Sequence, residues 1–134
     1  MEQYIGTKII HAEPMEKNGR EGYKVVYAPD GYESWSPKDV FEEAYRKSSG
    51  MNFGLAIEAA KKGKKIARAG WNGKNQYVEL ATCISYKNNA GEIVNVEHCN
   101  IGNQALAFVG TSGVQMGWLA SQADMLADDW RIVE

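Results

Sequence analysis

Apolar positions along this chain switch between two spacings, and each switch predicts an element. Tyr4 to Ala12 (YIGTKIIHA) and Tyr23 to Tyr27 (YKVVY) are rich in β-branched and aromatic residues, which predicts two strands. Pro29-Asp30-Gly31 supplies turn chemistry, since proline presets φ and glycine accepts positive φ. Tyr32-Glu33-Ser34-Trp35 then returns as a third strand. At Ser36-Pro37-Lys38-Asp39 the period changes: Ser36 can cap a helix, Pro37 suits its first position, and Asp39 suits the positive end of its dipole. Val40, Phe41, Ala44 and Tyr45 recur at helical spacing. Ser48-Ser49-Gly50 reads as a linker, which divides the chain into a small segment, 1–48, and a larger one, 51–134.

The larger segment opens with Asn52 as a cap and Phe53, Ala56, Ile57 and Ala60 as one helical face, ended by Gly63. Lys64 to Ala69 predicts a short strand, and Gly70-Trp71-Asn72-Gly73-Lys74-Asn75 a turn. Tyr77 to Tyr86 reads as a strand, Asn88-Asn89-Ala90-Gly91 as a hairpin loop, and Glu92 to Glu97 as the returning strand. Asn103 to Val109 and Val114 to Leu119 are further strands, separated by Gly110-Thr111-Ser112-Gly113. Ser121-Gln122-Ala123-Asp124 has the form of a capping box and opens a short helix ending near Ala127, after which Trp130 to Val133 forms the last strand. Strands joined by short turns predict an α+β fold, mainly antiparallel sheet with two or three short helices.

Composition narrows the class without naming the chemistry. Of 134 residues, 44% are hydrophobic and 24% charged, which suits a folded protein rather than a disordered one. Fifteen Lys and Arg against seventeen Asp and Glu give a net charge of -2, which argues against binding polymeric nucleic acid. No apolar run approaches the roughly 18 residues of a membrane span, and the first residues lack the pattern of a signal peptide, so no membrane partner is expected. Cys83 and Cys99 have neither CxxC spacing nor paired histidines nearby, so reduced thiols are expected, with a disulfide or a zinc site as alternatives.

Charge is segregated. Between Glu58 and Glu79 there is no acid, while Lys61, Lys62, Lys64, Lys65, Arg68 and Lys74 supply bases; near the C-terminus Asp124, Asp128, Asp129 and Glu134 face only Arg131. The lysines near the helix end read as a solvated surface. Arg68 and Lys74 differ because they flank the turn holding Trp71. An arginine fork, a flat aromatic face and glycine-turn amides together suit a nucleotide. The other reading is a core tryptophan with Arg68 paired to Asp124 or Asp129. Trp118, Trp130, Phe108 and Met116 read as core. His11 and His98 lie in different segments, and His98 and Cys99, adjacent on a strand, would face opposite ways. Asp124 and Asp128 share a helical spacing, but Asp124 is explained as a cap. No catalytic residue and no metal ligand emerges.

Three blocks of the larger segment carry a resemblance. Met51-Asn52-Phe53-Gly54-Leu55-Ala56, Arg68-Ala69-Gly70-Trp71-Asn72-Gly73 and Gly117-Trp118-Leu119-Ala120-Ser121-Gln122-Ala123-Asp124-Met125-Leu126-Ala127-Asp128-Asp129-Trp130 resemble the signature blocks of the phage Thoeris anti-defence family, second type. The resemblance covers Met51 to Glu134. It implies a non-catalytic sponge without a cofactor. In the cytoplasm of the infected bacterial host it would sequester cyclic ADP-ribose signals made by TIR enzymes, and so block the Thoeris effector. For some members it implies a separate pocket for cyclic dinucleotides, extending the block to CBASS. It also implies a homotetramer with ligand sites between protomers. Carried onto this sequence, Trp71 stacks on the adenine and Asn72, Gly73, Gln76 and Tyr77 complete the wall. Phe53 and Gly54 lie nearby, and Ser121 to Asp124 face the ligand from another protomer. The first segment, through Tyr4-Ile5-Gly6-Thr7-Lys8 and Asp30 to Pro37, resembles a separate small phage domain. Two other readings stand beside the sponge: a hydrolase of the same signals, and a phage structural or adaptor protein gripping a partner through Tyr23, Tyr27, Tyr32 and Trp35.

Overall fold

The computed structural model describes residues 1–71, 75–95 and 103–133. The chain separates into two compact units, Met1–Lys47 and Ser48–Glu134. It is an α+β fold in which every strand pairing between the named elements is antiparallel, as the sequence predicts. Among the described residues no helix is long and apolar enough to cross a membrane.

The first unit is a three-stranded sheet, β1 (His11–Pro14), β2 (Gly22–Tyr27) and β3 (Tyr32–Pro37), followed by α1 (Lys38–Ala44). Strand alternation divides its side chains. Tyr23 turns to the helix, stacks on Phe41 with ring centroids 4.2 Å apart, and donates its hydroxyl to Glu42; Phe41 in turn stacks on Tyr45 at 4.9 Å. On the opposite face Trp35 lies across Gly22. A Cβ on Gly22 would sit 2.5 Å from the indole, so only glycine lets the ring rest on the strand. The indole N–H then donates to the Met15 carbonyl at 2.8 Å. Two predicted boundaries move. The strand expected over Tyr4–Ala12 keeps only its end, because His11 already pairs with Val26 and β2 stops one residue later, leaving Tyr4–Ile9 nothing to pair with. Ser36 does not cap α1, because β3 runs on through Pro37 and pairs Ser36 with Tyr23; Pro37 itself occupies the cap position, with no side-chain bond.

The second unit is built on a five-stranded sheet, in the order β10 (Trp130–Val133), β4 (Lys65–Arg68), β5 (Tyr77–Ala81), β8 (Ala105–Gly110) and β9 (Gly113–Met116). A two-residue ribbon, β6 (Tyr86–Lys87) with β7 (Ile93–Val94), is closed by Asn88, whose side chain accepts from the amides of Ala90 and Glu92. The strand expected over Tyr77–Tyr86 therefore breaks in two; Cys83, with φ of 53°, cannot continue a pleat. Cys83 is disulfide-bonded, which corrects the expectation of a reduced thiol there. A disulfide asks that two Cβ atoms converge to about 4 Å in the folded chain, which spacing in sequence does not disclose. Cys99 and His98 lie outside the described residues. The strand expected over Val114–Leu119 ends at Met116, because Gly117 takes φ of 80° and both its amide and that of Trp118 bond to the Leu106 carbonyl.

Helix α2 (Phe53–Lys61) covers one face of this sheet. Asn52 caps it by accepting from the Leu55 amide at 2.9 Å, and Gly63 leaves it at φ of 87°. Its small residues Ala56, Ala59 and Ala60 are buried and allow close approach to Ile66 and Val78. The short helix α3 (Gln122–Leu126) carries the predicted capping box, Ser121 with Asp124. Met51 and Trp130 exchange two backbone hydrogen bonds, tying the start of the unit to its last strand.

Candidate functional site

Strand registry sets which side chains can meet. Ile66, Val78, Phe108 and Gln115 are cross-strand partners in one row, so they share the face that carries α2. The helix packs on β10, β4 and β5, at one side of that face. Toward β8 the face is lined instead by aromatic rings. Trp71 follows β4 and meets Phe108 edge-on at 5.4 Å, Trp130 at 5.4 Å and Trp118 at 6.1 Å. Trp130 is fully buried beneath them and also touches Phe53 at 5.5 Å. Trp71, Phe108, Trp118 and Phe53 are only half-buried. The result is an aromatic wall with a sealed base and an open rim. At that rim, the Phe108 ring and the Gln76 amide flank Gly110, where a Cβ would come within 2.9 Å of the ring.

The charged part of the site lies behind Trp71. Arg68 ends β4 and donates from Nε to Asp129 Oδ1 at 2.9 Å and from Nη1 to Asp124 Oδ1 at 3.0 Å. Asp129 Oδ2 accepts from the Gly70 amide at 3.2 Å, and Asp124 Oδ2 from the Ser121 amide at 3.0 Å. The Trp130 indole N–H donates to the Asp124 carbonyl at 2.8 Å. Side-chain exposure is 22% for Arg68 and 14% for Asp124, so their pair is partly withdrawn from water. Burial pushes the Asp124 carboxyl up, but bonds from the Ser121 backbone, Arg68, the Ser121 hydroxyl and the Trp71 indole outweigh it and hold the pKa below its ordinary 3.8. Asp129 is held below 3.8 chiefly by the Arg68 hydrogen bond, against a smaller effect of burial. Arg68 is raised by the same two partners, Asp129 first.

A pH dependence follows. Both carboxyls have lowered pKa values in the folded chain, so the unfolded chain binds more protons in acid. Their stabilisation is complete above the ordinary value and is lost as pH falls through 3.8 toward the depressed values. Thermal melts between about pH 7 and pH 3 should show the second unit losing stability over that lower range. Arg68→Gln should flatten this loss, and an equally steep loss in the variant would refute the assignment to this triad.

The residues proposed from sequence divide into four groups. Trp71, Phe53, Arg68, Asp124, Ser121 and Gln76 all belong to the aromatic wall or the ion-pair network beside it. Gly54 lies exposed on α2 next to Phe53. Tyr77 is not brought to the wall: it pairs with Val109 in the row next to Val78 and Phe108, so it faces the other side of the sheet, where Lys65 Nζ lies 4.6 Å over its ring. Asn72, Gly73 and Lys74 lie outside the described residues. Phe108 and Trp118, read from sequence as core, are half-buried parts of the wall; the adjacency of Trp118 to the capping box was the available signal. A shallow depression lined by Gly63, Lys64, Lys65, Ile132 and Val133 sits at the other end of β4 and contains none of the proposed residues. Among the described residues no cluster of three or more His, Cys, Asp or Glu is placed to hold a metal ion.

Comparison with known proteins gives two findings. Residues 51–133 match the family described as the Thoeris anti-defense 2-like domain. A protein named Thoeris anti-defense 2, from Bacillus phage SP01, is 38% identical over 88 residues, a stretch covering 62% of this chain and 94% of that protein. The matched region contains the aromatic wall and the whole Arg68 network.

Proposed function

Because the chain belongs to the Thoeris anti-defense 2-like family, with an anti-defence role, we propose that it acts as a sponge for cyclic nucleotide immune signals. It binds cyclic ADP-ribose-type messengers, and in a second capacity cyclic dinucleotides, and keeps them from the defence effector without cleaving them. It works as a homotetramer in the cytoplasm of the infected bacterium.

The observation that carries this reading is the half-buried aromatic wall of Trp71, Phe108 and Trp118 over the buried Trp130. A flat, rigid and partly solvent-facing indole is suited to receive an adenine, and base stacking on such a ring contributes about 1–3 kcal/mol. Affinity without turnover also accords with the local chemistry. The Asp129 carboxyl, chiefly through Arg68, and the Asp124 carboxyl, against the effect of burial and through Ser121 and Arg68, have lowered pKa values, so neither is poised to donate a proton near neutral pH.

The test is recovery of the ligand. Protein incubated with cyclic ADP-ribose isomers, washed and then heated should release the input molecule unchanged by chromatography. A tight ligand should also raise the melting temperature by mass action. Steady appearance of a linear product would overturn the sponge and favour a hydrolase. No shift with any cyclic nucleotide, together with capture of a stable protein partner by the first unit, would favour the adaptor reading.

A further inference from the structure

The Arg68 network sits where an anion-binding arginine is expected, yet its geometry suits a different task. We propose that Arg68, Asp124 and Asp129 are positioning residues, which fix the turn bearing Trp71 and so set the aromatic wall, rather than contacts to the phosphates of the ligand. The inference rests on the sponge reading for its binding readout and on the geometry for the rest.

Three features support it. First, two of the three guanidinium nitrogens of Arg68 are engaged within the chain: Nε and Nη1 donate to two carboxylates that stand 61 and 56 residues away in sequence. One positive and two negative charges leave the cluster net negative, which repels a diphosphate. Second, Asp129 and Arg68 bond to the turn at every residue up to Trp71, through main-chain carbonyls at Ala69 and Trp71 and through the Asp129 carboxylate at Gly70. The Ala69 amide bonds to the Asp129 carbonyl at 3.1 Å, the Gly70 amide to the Asp129 carboxylate at 3.2 Å, and the Trp71 amide to the Arg68 carbonyl at 3.3 Å. A Cβ on Gly70 would lie 3.3 Å from Asp129 Oδ2, so glycine admits the carboxylate at that distance. Third, Asp124 holds the packing partner of Trp71, because its carbonyl receives the Trp130 indole N–H. The two carboxylates are thus shared between Arg68 and backbone amides, and arginine presents its two donors to them in a fixed planar fork that the single rotatable ammonium of a lysine does not reproduce.

The experiment uses the full chain labelled with 5-fluorotryptophan, with the Trp71 fluorine resonance assigned through Trp71→Phe. Arg68→Lys keeps the charge and loses the fork; Asp129→Asn keeps the shape and loses the charge. Both should move or broaden the Trp71 resonance and weaken cyclic ADP-ribose binding by calorimetry, by about two- to 150-fold, the range of coupling between groups in contact. Asp128→Asn, an equal loss of charge one residue away, should do neither. A direct phosphate contact predicts the reverse for Asp129→Asn, since removing a competing carboxylate would tighten binding. Tighter binding, an unmoved Trp71 resonance in both variants, or a moved resonance with unchanged affinity would each overturn the proposal. So would unfolding of both variants, because the triad would then hold the domain rather than the site. If the wild type binds no cyclic nucleotide, the sponge reading fails, and the Trp71 resonance alone decides whether the triad positions the turn.

Discussion

Replacing Trp130 by alanine is expected to lower the melting temperature of the second unit by more than about 12 °C. The estimate combines roughly 3–5 kcal/mol for truncating a buried tryptophan with about 4–8 °C per kcal/mol in a domain of this size. Trp130 is fully buried and joins β10 to β4, to the start of the unit and to the aromatic cluster. It pairs with Arg68 across the sheet, exchanges backbone bonds with Met51, and packs against Phe53, Trp71 and Trp118. Its indole N–H also satisfies the Asp124 carbonyl, so truncation leaves a cavity and an unmet acceptor together. Trp130→Phe separates the two effects. It keeps most of the volume and gives up the hydrogen bond, so its loss should be about 1–3 kcal/mol. Calorimetric melts of the two variants beside the wild type decide this. An alanine variant melting within a few degrees of the wild type would mean that the aromatic cluster is not the core it is taken to be.

Local chemistry was legible in the sequence where one residue decides one backbone group and no strand competes for it, as β3 does for Ser36. Asn52 and the Ser121–Asp124 box cap helices because their side-chain oxygens lie within reach of amides two or three residues on. Gly63 ends α2 and Asn88-Asn89-Ala90-Gly91 closes a hairpin for equally local reasons. Strand ends were less legible, because a strand exists only as far as its partner does. The run from Tyr4 has every strand-forming residue, but β2 stops at Tyr27 and leaves most of that run unpaired. Similarly, nothing in Tyr77–Tyr86 announces the left-handed backbone at Cys83.

The candidate site was legible in its members and not in their roles. Arg68 and Trp71 stand three residues apart, which suggests a cradle; that Arg68 turns to Asp124 and Asp129 depends on β10 lying beside β4, a contact between distant parts of the chain. The structure pairs Arg68 with both carboxylates, as the second sequence reading has it, and leaves Trp71 half-buried rather than in the core. Tyr77 shows the same limit: the family resemblance placed it at the wall, whereas the pleat turns it to the opposite face. Phe108 stands far from Trp71 in sequence and touches it in space, through the registry that sets Val78 against Phe108.

Trp71→Leu is expected to weaken binding of cyclic ADP-ribose-type signals by about 5- to 150-fold, the equivalent of 1–3 kcal/mol of lost base stacking. Leucine is chosen over alanine because Trp71 is wedged among three aromatic rings, and a branched apolar side chain leaves a smaller void there. Trp71→Phe keeps a flat ring and should retain most of the affinity, though with less overlap on a purine. The order wild type, Phe, Leu is therefore the signature of stacking, whereas a purely hydrophobic contact would leave Phe and Leu alike. The substitution should act mainly through ligand dissociation, since encounter with a charged messenger is governed by longer-range forces. Titration calorimetry with stopped-flow dissociation reads both quantities, and far-UV circular dichroism confirms that the variants stay folded. A folded leucine variant that holds every bound cyclic nucleotide as tightly as the wild type would remove Trp71 from the site, and the aromatic wall would then be packing alone.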